Sequence, residues 1–164
     1  MAPDLSAELI TPDYAGALCQ DVFVHVWRAQ VNVETVGAAR RFVAPRDDRI
    51  RAVVAIIEEG STTPDDATRA LLAALHLECK LVSVAVVHES KGFKGAAVRA
   101  VVTGLHLVRP TSFETKVFAS VPESLAWMKR SFSRIAGVSE LEGFISGLRR
   151  RLAAPTATNA PALG

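Results

Sequence analysis

Ile50-Arg51-Ala52-Val53-Val54-Ala55-Ile56-Ile57 decides the fold. Seven of its eight side chains are apolar, and a strand can carry that pattern only where both of its faces are covered, as in the interior of a parallel sheet. Leu81 to Val87 reads Leu-Val-Ser-Val-Ala-Val-Val and repeats the signal. Between the two lies Thr63-Pro64-Asp65-Asp66, which predicts a helix start with Thr63 as N-cap, Pro64 in the first turn and carboxylates where the helix dipole favours them. The inward stripe expected of that helix is Ala67, Ala70, Leu71, Ala74 and Leu75, ending near Cys79. Strand, helix, strand in this order predicts two parallel strands lying side by side.

Upstream, Val22 to Arg28 alternates, with Val22, Val24 and Val26 on one face and Phe23, His25 and Trp27 on the other. Asn32 caps a first helix running through Pro45, with Val33, Val36, Ala39 and Val43 as its apolar stripe. Downstream, Phe93, Ala96, Ala97, Ala100, Val101, Gly104, Leu105 and Val108 keep helical spacing until Pro110. Thr115 to Ala119 reads as a short last strand. Ser120 and Glu123 form a capping box for a helix through Arg130. A second box at Ser139 and Glu142 opens an amphipathic helix with Leu141, Phe144, Ile145, Leu148 and Leu152 on one face.

The expected fold is therefore α/β, a mostly parallel mixed sheet of about five strands flanked by helices. One domain is expected over residues 5–130, followed by an appended amphipathic helix over 138–153 and a mobile tail over 154–164.

Composition narrows the function classes. Nineteen basic and seventeen acidic side chains in 164 residues leave a net charge of +2, too balanced for a general attraction to nucleic acid. Cys19 and Cys79 stand far apart and outside any zinc-binding pattern, so both are expected as buried free thiols, and no metal or cofactor is expected. Met1 to Ile10 includes Asp4 and Glu8 in place of a basic start and an apolar run, and nothing reaches membrane-spanning length. The expected location is cytoplasmic.

The order of elements, with an N-terminal strand before Val22, resembles a STAS domain, as found in bacterial anti-sigma factor antagonists and SpoIIAA-like proteins. The most telling stretch is Lys116-Val117-Phe118-Ala119-Ser120-Val121-Pro122-Glu123-Ser124-Leu125-Ala126-Trp127-Met128, similar to the family's closing strand and helix. The resemblance spans roughly Asp21 to Lys129 and implies a non-catalytic signalling module that regulates another protein. Antagonists of this kind carry Asp-Ser-Ser-Gly at the turn after the central strand, where the Ser is phosphorylated. Here the turn reads Glu58-Glu59-Gly60-Ser61-Thr62-Thr63-Pro64. Ser61 and Thr62 are the candidate phosphorylation sites, and Glu58 and Glu59 would repel an added phosphate.

Ligands of open α/β sheets bind beyond the carboxyl ends of the strands. That rim gathers Glu58, Glu59, Ser61 and Thr62, the candidate partner-binding residues, with His88, Glu89, Ser90 and Lys91. Their spacing matches no metal or nucleophile motif. Lys91, Gly92, Lys94 and Gly95 form a candidate anion-binding turn, the alternative reading being a nucleotide or anion sensor. His25, Trp27, His76 and His106 read as packing or ordinary helix positions. Leu141, Phe144, Ile145 and Leu148 are a candidate docking stripe for a partner or a second copy, with Arg149, Arg150 and Arg151 either solvated at the helix end or meeting acidic groups on that partner.

Overall fold

The computed structural model describes residues 8–62, 64–92, 95–96 and 112–154. They form one six-stranded sheet whose spatial order is its sequence order, β1 (Glu8–Thr11), β2 (Tyr14–Cys19), β3 (Val22–Trp27), β4 (Ala52–Ile57), β5 (Ser83–His88) and β6 (Glu114–Phe118). The first three run as an antiparallel meander, and β3 to β6 are parallel. The helices are α1 (Val33–Val43), α2 (Asp66–Glu78), α3 (Val121–Ser131) and α4 (Leu141–Ala153). The fold is thus the α/β class that the apolar runs at Ile50 and Leu81 dictate, and those runs pair directly, from Ala52 opposite Ser83 to Ile57 opposite His88.

Strand alternation sorts the core into two layers. Val22, Val24, Val26, Val54, Ile56, Ala85 and Val87 meet α3 and α4, while Phe23, Trp27, Val53 and Val84 meet α1 and α2. Asn32 caps α1 by accepting from the Thr35 N–H at 2.9 Å, and Ser120 caps α3 by accepting from Glu123 N–H at 3.5 Å. Glu123 Oε2 returns to the Ala119 N–H at 3.3 Å, closing the box one residue earlier than the usual pattern.

Expectations for the N-terminal hairpin, for α2 and for α4 are corrected. The sheet gains a hairpin, because Tyr14-Ala-Gly-Ala-Leu-Cys forms a buried strand despite its weak strand propensity. Its small residues serve packing: Ala15 and Ala17 belong to the layer under α4, and on the other face a Cβ at Gly16 would lie 2.5 Å from the Tyr14 hydroxyl. The α2 cap is Asp65, accepting from Thr68 N–H at 2.8 Å; Thr63 lies outside the described residues. Ala67 and Ala70 face solvent, and the inward line runs through buried Thr68 and Leu75 with half-buried Leu71, which offer more area to bury than alanines.

The helix expected as an appendage is part of the core. Leu141, Phe144, Ile145, Leu148 and Leu152 are all buried, over β2 in particular. The candidate docking stripe is therefore spent inside the chain. Nor does Ser139 cap this helix: Ala136–Glu140 is a 3₁₀ turn pinned from outside, with Asp21 accepting from Gly137 N–H at 2.9 Å and Ala136 N–H at 3.2 Å. Gln20, at a φ of 56°, turns the chain into β3 and donates to Glu140 at 2.6 Å. A Cβ on Gly137 would fall 2.1 Å from the Cys19 carbonyl oxygen, so only glycine fits. Gly137→Ala is expected to lower stability by about 1–3 kcal/mol in urea denaturation, the usual cost of overpacking.

Candidate functional site

The carboxyl ends of the parallel strands form a charged rim. Trp27, Ile57 and His88 are in register, so the residues that follow them, Arg28, Glu58 and Glu89, emerge side by side. Backbone bonds fix the emergence: Glu58 N–H donates to Trp27 O and Glu89 N–H to Ile57 O, both at 2.9 Å. Arg28 Nε then meets Glu58 Oε2 at 3.0 Å, and Arg149 of α4 spans the two carboxylates, at 3.5 Å from Glu58 Oε1 and 2.8 Å from Glu89 Oε2. Arg28 Nη1 also donates to the Leu152 carbonyl at 2.9 Å, satisfying an acceptor in the last turn of α4. Arg151 reaches Glu8 of β1 at 2.6 Å. The acidic groups that the arginines meet thus belong to this chain.

This network ties β3, β4 and β5 to α4, and both oxygens of Glu58 are taken up by guanidinium groups. Sequence reading singled out Glu58 and Arg149 but passed over Arg28 and Glu8. A signal for Arg28 was present, since it ends a strand as Glu58 follows the next, whereas Glu8 comes near Arg151 only through tertiary packing.

The remaining rim residues divide by exposure. Glu59 and Thr62 face solvent, Thr62 pairing through its backbone with Gln30 in an isolated bridge. Ser61 is buried, its hydroxyl donating to the Trp27 carbonyl at 3.0 Å. A kinase cannot reach Ser61 unless the turn opens, which leaves Thr62 as the accessible hydroxyl. His88 is buried at its strand end, and Ser90 is half-buried. In the candidate anion turn, Lys91 is exposed, Gly92 takes a φ of 70° with open space around it, and Gly95 is buried; Phe93 and Lys94 lie outside the described residues, as does His106.

His25 occupies the opposite face of β3 from the valines, ringed by Phe23, Trp27 and Tyr14 at centroid separations of 5.1, 5.6 and 6.2 Å. It is 1% exposed, and neither ring nitrogen has a hydrogen-bond partner among the described residues. Burial, with a smaller contribution from His76, pushes its pKa down to about 3, so the imidazole is neutral. Burial likewise raises the Tyr14 hydroxyl well above its ordinary value. The Cys19 and Cys79 thiols, both free and buried, are pushed up to about 11, chiefly by burial. Such thiols are poor nucleophiles at neutral pH. Among the described residues, no three His, Cys, Asp or Glu side chains gather into a metal-binding group, and no helix is long and apolar enough to cross a membrane.

Comparison of the chain with protein-family models, with curated proteins and with solved structures found no match.

Two predictions come from these groups. The unfolded chain protonates His25 near pH 6.5, while the folded chain resists until about pH 3, so native stability falls as pH drops through that window. The loss is up to about 1.4 kcal/mol per pH unit from this group. His25→Leu should remove that component from the pH dependence measured by chemical denaturation. Arg149→Met should cost about 1–2 kcal/mol, between the values for exposed and buried pairs, and the cost should shrink in roughly 1 M salt. Arg150→Met, altering an exposed side chain, should stay within about 0.5 kcal/mol of wild type.

Proposed function

We propose that this chain is a non-catalytic regulatory module of the STAS/SpoIIAA-like kind, which binds another protein through the outer face of α2 and the turn that precedes it. The observation that carries the reading is the exposure of an apolar line along that helix. Ala70, Ala73 and Leu77 recur at helical spacing and face solvent, and Leu77 is 67% exposed. Leu77 is the one large apolar side chain on this line, and with the two alanines it makes a narrow apolar strip of the kind a partner can cover.

At the near end of this line stand Glu59, Thr62, Asp65 and Asp66, all exposed. From Asp66 to Leu77 the face extends about 16 Å, enough to receive one helix or loop of a partner. The complementary surface is apolar along its centre and carries lysine or arginine where it meets the acidic end. Under the family resemblance, the turn between β4 and α2 corresponds to the antagonist phosphorylation loop, and the order of elements supports that reading. Of the two candidate hydroxyls, Ser61 and Thr62, Thr62 is the exposed one. A phosphate at Thr62 would add negative charge beside Glu58 and Glu59, loosening the turn by repulsion while raising its attraction to a basic partner.

The contact set differs from the one the sequence suggested. Glu58 is committed to Arg28 and Arg149, and Ser61 to Trp27, so Glu59 and Thr62 remain as rim contacts. The α4 stripe is excluded because it lies in the core.

Affinity purification with quantitative mass spectrometry tests the reading. Leu77→Asp removes an apolar contact worth about 1.5–3 kcal/mol, and should deplete the specifically enriched protein roughly 10- to 100-fold. Glu59→Lys, which reverses a charge at the acidic end, should deplete it as well. Arg150→Ala should not, and all three should keep the wild-type circular dichroism spectrum. Equal enrichment by wild type, Leu77→Asp and Glu59→Lys would reject the surface.

A further inference from the structure

The opposite end of the parallel sheet has a different character. Arg51 immediately precedes β4 and Val82 immediately precedes β5, so both stand where the parallel strands begin. Their backbones are locked together: Arg51 N–H donates to Asp21 O at 2.8 Å, and Val82 N–H donates to Arg51 O at 2.7 Å. The link after α3 is turned by Phe132 N–H donating to Met128 O at 2.8 Å and Ile135 N–H to Phe132 O at 3.0 Å. Its end is tied to the platform by Asp21, which accepts from Arg51 through its carbonyl and from Ala136 and Gly137 through its carboxylate. Between platform and link is a cleft of about 420 Å³, walled by Arg51, Arg134, Ser131 and Ser133. That volume falls within the range of small-molecule sites.

Charge in the cleft is unbalanced. Neither Arg51 nor Arg134 has an ion-pair partner among the described residues, although five other arginines do. The carboxylate that lines the cleft, Asp21, spends its oxygens on the N–H groups of Gly137 and Ala136. Two guanidinium groups sharing one concavity raise the local positive potential, and their forked donors match phosphoryl oxygens better than a single carboxylate. Exposed Ser131 and Ser133 add hydroxyl donors. The inner wall is apolar, made by half-buried Val82 and Phe132 and buried Ile135, and the Phe132 ring is itself braced by Trp127 at 5.0 Å.

We propose that this cleft is a binding site for a small organic phosphate. Arg51 and Arg134 hold the phosphoryl group, the two serine hydroxyls complete its donor set, and the organic part rests on Phe132 and Val82. The site lies at the end of the sheet opposite the Glu58 rim and does not depend on the partner surface of α2. It is also distinct from the turn at Lys91.

Phenyl phosphate is the probe. Titrated into the isotope-labelled full chain and followed by NMR, it should produce saturating shifts at the amides of Arg51, Ser131, Ser133 and Arg134. Arg51→Gln and Arg134→Gln should each weaken binding about 10-fold or more, as loss of a charge-assisted contact does. Arg150→Gln should leave it unchanged. Both cleft arginines are exposed, so the variants should retain the wild-type spectrum away from the site. Inorganic phosphate should bind more weakly than phenyl phosphate because it makes no use of Phe132. Absence of saturating shifts up to roughly 10 mM, or equal affinity in wild type and both cleft variants, overturns the site. Equal affinity for the two probes overturns the assignment of an organic ligand.

Discussion

The parallel pairing of β4 with β5 is the constraint on which the rest of the molecule depends. It places two nearly continuous apolar strands in the middle of a sheet, where each residue presents a side chain to one face or the other. Neither face can then meet water, and two layers of helix are required. α1 and α2 supply one layer, α3 and α4 the other. The C-terminal helix is therefore no accessory. Without it, the valines of β3 and the alanines of β2 would lie open to solvent, and the five apolar side chains of α4 would have nowhere to go.

The same pairing builds the two rims. Register along β3, β4 and β5 delivers Arg28, Glu58 and Glu89 to one end as neighbours, and Arg149 from α4 closes them into a half-buried ion network. Groups so occupied are poorly suited to greet a partner, which shifts the proposed recognition surface from the rim to the adjoining helix. At the other end the strands begin with Arg51 beside the link that carries Arg134, and there the guanidinium groups lack such partners among the described residues. A protein contact on α2 and a phosphate cleft at the start of the strands are two proposals drawn from one scaffold.

Much of this was legible in the residues, for physical reasons that can be named. Alternation in Val22 to Trp27 and continuity in Ala52 to Ile57 are direct consequences of strand geometry, and Asn32 and Ser120 act locally on the next turn of chain, so both caps formed as read. What escaped depends on contacts distant in sequence. Ala15, Gly16 and Ala17 look like poor strand formers until α4 and the Tyr14 ring are seen to need the space. The Leu141 to Leu152 stripe was correctly apolar on one face, but periodicity does not say what covers it. Asp65 displaced Thr63 as cap within a run of eligible residues, where local chemistry alone does not choose. The pairing of Arg151 with Glu8 joins opposite ends of the chain and has no local signature.

Native-state hydrogen exchange measures the central claim most directly, since protection of an amide reports how much structure must open to expose it. The amides of Val53 to Ile56 and Val84 to Val87 should exchange only through global unfolding, with opening free energies equal to the stability from urea denaturation. Those of α2, with one face in solvent, should open at lower cost. If the β4 and β5 amides exchange as fast as those of α2, the two strands are not the interior of this fold, and both rims lose their foundation.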